Sequence, residues 1–484
     1  MAEALPAPAL AAQSSSTSSA ALALRNDSAA VPTAAERPAA ITLLDSELAT
    51  ALNMRTGIVY GPTESGPRRN IQYAVVEARD GDTIQISPGA IWAPGFGDGS
   101  SYLEGGMLHI WKSLTVTNFR GKGRWRLAPS SIAYVDGWSG IVIREPNQTY
   151  SNSGDTLRND PRKTIVVEGF DFDNWGRKSG DFGVRVRANA STGSWADVQA
   201  SVTLRDFRVG KRPYFESASG INGSAENFLI EDGHVYDTGG GVGSAEGQDH
   251  DFYVGGRSLT LRGVRGSRSR GAAMAPMDGH IVKASAVNTL IEGCAFDCGP
   301  QGDNSYDIQC RAGGNVTIRG CLIIGGAKTQ NRGTGVIGYE NEISQTPWYY
   351  GAEGHSLLIE KNVIISHFDK PLVYFRPAGH PWQVRGVSSV AIRDNIGMCA
   401  TTSSWLPRFK EPVWIRDDPT HGRAWPVNNS VMPYGTDEPG FEGKPQMHYR
   451  RAEGPIRASA AVSTYRFVWP HGHVPRVDDY RGLG

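Results

Sequence analysis

Between residues about 80 and 400 the chain is a succession of short segments in which apolar and polar positions alternate. Gly, Asn, Asp or Ser breaks each segment from the next. KTIVVEGFDF, SVTLRDFRV, NFLIEDGHVY, SLTLRGVRG, NTLIEGCAF, NVTIRGCLII and SLLIEKNVII all follow this form. A period of two predicts strands. No repeat contains a ten-residue amphipathic stretch, so helical repeats of similar length are excluded. The one helix expected is short, within Ile71–Pro88, followed by a strand and covering the first open edge of the stack.

A finer pattern lies inside these segments. An apolar residue is followed by a charged residue and then by a turn-like residue. It occurs at Val167-Glu168-Gly169, Leu204-Arg205-Asp206, Ile230-Glu231-Asp232 and Leu261-Arg262-Gly263. It returns at Ile291-Glu292-Gly293, Ile318-Arg319-Gly320, Ile359-Glu360-Lys361 and Ile392-Arg393-Asp394. The charged positions are 37, 26, 31, 30, 27, 41 and 33 residues apart, and their sign alternates at every step. Alternation has a physical reason if each repeat lies on the last as a hydrogen-bonded strand about 4.8 Å away. Opposite charges then face each other and like charges do not. The pattern predicts an all-β solenoid with two or three short strands per repeat.

Four segments follow from this reading. Residues 1–40 are an Ala/Ser/Pro-rich tail of adaptor-like composition. Residues 41–70 are a mixed leading segment. Residues 71–400 carry the repeats. Residues 401–484 lose them and read as an irregular cap, a small subdomain or an oligomer contact. The N-terminus has no basic region followed by an apolar run, so it does not read as a secretion signal. The 49 basic and 49 acidic residues cancel, which leaves no global field for nucleic acid or a membrane surface. Mean hydropathy is −0.35, and no apolar run approaches the roughly 18 residues of a membrane span. Cys294 and Cys321 share a repeat position, which suits a column of buried thiols or a disulfide.

The chain resembles the right-handed parallel β-helix, pectate-lyase-like superfamily over roughly residues 70–400. GDTIQISPG is typical of its first turn. The centre is similar to a group of bacterial β-helix proteins of poorly defined function. The matching residues are His250-Asp251-Phe252-Tyr253-Val254-Gly255, Gly279-His280-Ile281-Val282-Lys283, Ser305-Tyr306-Asp307-Ile308 and Gly313-Gly314. Ala284-Ser285, Gln309 and Arg311-Ala312 depart from that group's usual residues. The resemblance implies a right-handed parallel β-helix with an N-terminal capping helix. It also implies carbohydrate as the ligand class, since the superfamily is mostly polysaccharide lyases, hydrolases, epimerases and phage tailspikes.

The repeat also works as a ruler. Eleven residues before the apolar position that precedes each ladder charge stand Ser219, His250, His280 and Asp307. Eight before stand Asn222, Tyr253, Lys283 and Cys310, with Arg311 one place off. A lyase acting on uronic acids must neutralise a carboxylate, remove the C5 proton and protonate the leaving oxygen. Lys283 or Arg311 would neutralise, His250 or His280 would be the base and Tyr253 the acid. Structural stacking of the column and a His-His-Asp metal site are the alternatives, and the inward or outward phase of His250 stays open. No metal ligand is assigned. No motif calls for a cofactor, and Ca2+ is left open. A hydrolase would need two carboxylates, for which Asp249, Asp251, Asp278, Asp303 and Asp307 are candidates.

Two basic runs, Arg205/Arg208/Lys211/Arg212 and Arg262/Arg265/Arg268/Arg270, would line a groove for an anionic glycan or form a solvated, internally paired face. The insertion at residues 341–354, with Trp348 and Tyr349, is the expected loop framing a site. The substrate-binding candidates are therefore Arg262, Arg265, Arg268, Arg311, Trp348 and Tyr349. The glycine-rich stretch 239–247 lacks the features of a phosphate loop and reads as a turn. Three functions remain in view. One is cleavage of an acidic polysaccharide, by β-elimination rather than hydrolysis. The second is a virion tailspike that binds, with or without cleavage, a host surface glycan, as a homotrimer joined to other virion proteins through its tail. The third is a non-catalytic structural or adhesion role. The expected location is extracellular or on a virion surface.

Overall fold

The computed structural model describes residues 49–61, 71–92, 106–119, 123–128, 139–143, 163–173, 181–186, 200–210, 218–236, 238, 250–267, 279–297, 306–311, 313–325, 335–340, 355–366, 373–376, 387–393, 395–401, 413–415 and 447–453. The tail at 1–40, the glycine-rich stretch 239–247, Arg268 and the 341–354 loop with Trp348 and Tyr349 lie outside them. Among the described residues the protein is all-β, in one large and mainly parallel sheet with a single short helix. No described helix is long and apolar enough to cross a membrane.

The parallel strands fall into three stacks. The first holds Asp181–Val186, the first third of Ala218–Tyr236, the starts of His250–Arg262 and His280–Glu292, then Tyr306–Cys310 and Ile337–Glu340. The second holds the starts of Thr164–Asp173 and Ser201–Gly210, the middle of Ala218–Tyr236 and the ends of His250–Arg262 and His280–Glu292. Asn315–Arg319, His355–Glu360 and Val387–Arg393 continue it. The third holds the ends of Thr164–Asp173, Ser201–Gly210 and Ala218–Tyr236, then Arg265–Ser267, Ala295–Asp297, Leu322–Gly325 and Val363–Ser366.

The motif read in the sequence organises the second stack. Its apolar residues form one buried column: Val167, Leu204, Ile230, Leu261, Ile291, Ile318, Ile359 and Ile392. Each such burial contributes about 1.5–3 kcal/mol. Its charges form one register, Glu168–Arg205–Glu231–Arg262–Glu292–Arg319–Glu360–Arg393. Arg205 pairs with Glu168, while Glu292 lies between Arg262 at 3.3 Å and Arg319 at 2.5 Å. The third motif position turns the chain. Gly169, Asp206, Asp232, Gly263, Gly293, Gly320 and Lys361 all have φ between 50° and 72°, the left-handed region that favours Gly and tolerates Asp.

One residue further on runs a column of which the sequence reading saw only the shared position of Cys294 and Cys321. Trp125, Phe170 and Phe207 lead it. Trp125 lies 5.6 Å from Phe170, and Phe170 stacks on Phe207 at 5.2 Å and 10°. Gly233 follows because the Phe207 ring fills its side-chain space, a Cβ there standing 2.1 Å from Phe207 Cζ. After Val264 the column turns polar: Cys294, Cys321, Asn362 and Asn395, all 0% exposed. Each side chain reaches a carbonyl of the preceding repeat. The distances are 3.4 Å for Cys294 Sγ to Leu261 O, 3.7 Å for Cys321 Sγ to Ile291 O, 3.0 Å for Asn362 Nδ2 to Ile318 O and 2.9 Å for Asn395 Nδ2 to Ile359 O. Each then accepts the main-chain N–H of the residue before it in the column. Cys294 and Cys321 are free thiols. Burial, reinforced by the Cys321 thiol, holds the Cys294 thiol well above its usual range, so it stays protonated and donates.

The N-terminal edge is covered twice. Ala51–Asn53 pairs antiparallel with Val59–Tyr60 and with Thr83–Ile86. The helix Gln72–Glu77 closes the first stack, where the Gln72 amide replaces a strand by bonding His109 N and O, each at 2.8 Å. Lys112 Nζ donates to Val76 O and Ala78 O at 2.7 Å, satisfying carbonyls at the helix C-terminus. At the other end, parallel pairing continues past residue 400. Val413–Ile415 pairs with Val373–Arg376, and Met447–Glu453 with Asn395–Thr401. The sequence period fades there, while the backbone pairing does not.

Candidate functional site

Two columns of the first stack carry the candidate chemistry. His250 lies opposite His280, and Tyr253 opposite Lys283. The ruler fails at the next repeat. His280 is opposite Tyr306, and Lys283 is opposite Gln309. Asp307 therefore takes the rung of Ile281 and is 2% exposed, instead of extending the histidine column. The reason is one added residue between Cys310 and Asn315. Ala284 and Asn288 are four residues apart, while their partners Cys310 and Asn315 are five apart. Gly313 at φ 64° and Gly314 at φ 81° absorb the extra length. His250, His280 and Asp307 are thus not brought together as a His-His-Asp set.

The corrected register also fixes the phase. Phe252, Val282 and Ile308 become one buried column. The strand pairing runs His250–His280 and resumes at Phe252–Val282, skipping one rung. Asp251 there is 0% exposed and receives a hydrogen bond from Thr238. The His250 ring stands edge-on to Tyr253 at 5.1 Å, so the histidines share the face of Tyr253 and Lys283.

The two imidazoles continue the strand pairing through side chains. His250 N donates to Ser219 Oγ at 3.2 Å, His280 N to His250 Nδ1 at 2.9 Å and Tyr306 N to His280 Nδ1 at 3.3 Å. The rings stack at 4.9 Å and 15°. A neutral ring whose Nδ1 accepts a main-chain N–H carries its proton on Nε2. Each histidine then offers a donor to this face, not the base expected from the sequence. Burial first, then the electrostatic influence of His280 and the positive charges of Lys283 and Arg311, hold the His250 imidazole well below its usual range.

That depression has a sign for stability. The native state keeps His250 neutral, so its contribution is complete above the unfolded imidazole's pKa of about 6.5 and is lost as pH falls below it. His250→Asn keeps an oxygen acceptor for His280 N–H but cannot titrate. Between about pH 7.5 and about pH 5 the melting temperature is expected to fall less in this variant than in the wild type. Parallel melting curves would show His250 to be irrelevant.

Tyr253, Lys283 and Arg311 are half-buried and converge. Lys283 Nζ lies 5.3 Å from the centre of the Tyr253 ring, and Arg311 Nη1 donates to Tyr253 Oη at 3.1 Å. Asn222 and Gln309 flank them in the same register, 7% and 4% exposed. Arg262 is instead a rung of the charge ladder on the second stack, paired with Glu292. Arg265 belongs to the third stack, between His234 and Ala295. Neither joins the Tyr253 group. No protein family, curated protein or solved structure matches the chain.

Proposed function

We propose that this protein is a right-handed parallel β-helix that recognises an acidic polysaccharide at Tyr253, Lys283 and Arg311 and cleaves it by β-elimination. The observation that carries this is Tyr253 held between two cations, Lys283 over its ring and Arg311 at its hydroxyl oxygen. The three parallel stacks and their continuous register support the β-helix reading. In this proposal Lys283 and Arg311 neutralise a uronate carboxylate, which makes the neighbouring C–H more acidic. Tyr253, entering the step as a phenolate between the two cations, takes the C5 proton; the C–H electron pair forms the C4–C5 double bond as the C4–O bond breaks, and the phenol so formed gives the proton to the leaving oxygen. The buried histidine stack supports Tyr253 from behind. Among the described residues a pair of acidic groups for hydrolysis gains no support, because Asp251 is enclosed in the interior and Asp307 sits on its equivalent rung; Asp249, Asp278 and Asp303 lie outside the described residues.

The test is the ultraviolet absorbance of the unsaturated uronate formed when the protein is incubated with a panel of uronate-containing polysaccharides. Wild type should generate it, and Lys283→Ala with Arg311→Ala should lower the rate at least about 100-fold. A polymer that binds without new absorbance or new reducing ends would leave recognition standing and remove the lyase step.

A further inference from the structure

Arg185, Asn222, Tyr253, Lys283 and Gln309 hold one register position on successive strands of the first stack. Several polar groups around Tyr253 already serve the protein itself. Ser219 Oγ accepts from His250 N at 3.2 Å, His250 Nδ1 from His280 N at 2.9 Å and Tyr253 Oη from Arg311 Nη1 at 3.1 Å. Asn222 differs. Its neighbour Ile221 pairs with Phe252 and is sealed in the interior, so alternation turns Asn222 to the face of Tyr253. Asn222 is 7% exposed, yet among the described residues its side-chain amide makes no hydrogen bond.

A polar group enclosed to this degree is unfavourable while its bonds are unmade, and a ligand that supplies them offsets the cost. The amide sets a carbonyl acceptor beside an NH2 donor. Hydroxyls on adjacent carbons of a sugar ring match that pair, since each hydroxyl both donates and accepts. Position selects which sugar is met. Lys283 lies one rung after Tyr253, and Arg311 follows the strand after that. Asn222 lies one rung before Tyr253, about 4.8 Å away. A uronate carboxylate held by the two cations puts the bond to be broken at Tyr253 and the leaving sugar at Asn222.

We propose that Asn222 is a specificity residue that hydrogen-bonds the C2 and C3 hydroxyls of the sugar next to the bound uronate. The substrate class is then a polyuronate linked through its C4 oxygen, with those two hydroxyls free of acyl groups. This rests on the reading of the Tyr253 group as a uronate site, and the experiment separates the two. Labelled polygalacturonate and polymannuronate, each with free or O-acetylated hydroxyls, are titrated with the full chain by fluorescence anisotropy. Release of unsaturated uronate is followed on the same polymers. Wild type should bind at least one free polymer about tenfold or more tightly than its acetylated form, a difference of at least about 1.4 kcal/mol. Asn222→Ala should lose most of that preference and bind the two forms within about threefold of each other, the signature of a direct coupling between residue and hydroxyl. Asn222→Ser, which keeps a donor and an acceptor in less volume, should fall between them. A residue that only supports the strand would weaken binding to both forms alike and leave the preference intact, which overturns the proposal. Wild type that binds neither polymer, or binds free and acetylated forms equally, overturns it as well. Preference lost in Asn222→Ala, with no unsaturated uronate formed by wild type, would remove the lyase step and leave Asn222 as the hydroxyl contact.

Discussion

Replacing Asn362 by leucine is expected to lower stability by about 4 kcal/mol. Asn362 is fully buried and sits between two ladder partners. Its Oδ1 accepts the Cys321 N–H at 2.9 Å, and its Nδ2 donates to Ile318 O at 3.0 Å and to Asn395 Oδ1 at 2.9 Å. Leucine leaves Cys321 N–H and Ile318 O without these partners, in a place closed to water. Each orphaned buried group costs about 1–3 kcal/mol, and misfit of the branched side chain adds to this. Asn362→Cys is the informative control, because Cys321 and Cys294 perform the same contacts one and two repeats earlier. That variant should lose less than half as much. Urea denaturation with a common slope for all three proteins measures the difference. Equal losses in the leucine and cysteine variants would mean that side-chain volume, not the hydrogen-bond ladder, holds this turn.

Tyr253→Phe should reduce the turnover of a uronate polymer by about 100-fold to 10,000-fold while leaving KM nearly unchanged. Phenylalanine keeps the ring that Lys283 covers at 5.3 Å and leaves both cations in place for a carboxylate. It removes only the oxygen that accepts from Arg311 and carries the proton. A variant that retains more than about a tenth of wild-type turnover would show that another group moves the proton. A variant that loses affinity and not turnover would make Tyr253 a binding residue alone.

The repeat motif was legible because three separate constraints act on three adjacent residues. The first must be buried, the second must meet its opposite charge about 4.8 Å away and the third must turn with positive φ. Val167, Glu168 and Gly169 show this as plainly as Ile359, Glu360 and Lys361. The Cys294–Asn395 column was present in the same sequence, two positions after each ladder charge. Beyond the Cys294–Cys321 pair it was hidden because Trp, Phe, Gly, Val, Cys and Asn share no hydropathy class. What unites them is a place in a turn, where the ring of Phe207 excludes a side chain at Gly233 and an amide can replace a thiol.

The histidine column illustrates the limit of counting. His250 and His280 meet because no residue is inserted between them and their ladder charges. Asp307 does not join them because Gly313 and Gly314 take up one extra residue, and a shift of one residue moves a side chain to the other face. The sequence could also not say which imidazole nitrogen is available. That depends on the main-chain N–H of the neighbouring strand, which claims Nδ1 in both rings.

By itself, then, the sequence determined the parallel stacking of these strands and the pairing of Glu168 through Arg393, since burial, charge and turn conformation are imposed locally at every repeat. Only the tertiary structure decided which polar side chains converge. Tyr253, Lys283 and Arg311, 28 to 58 residues apart in the chain, are brought together by the register between their strands, and register is set by turn lengths that a hydropathy pattern does not record.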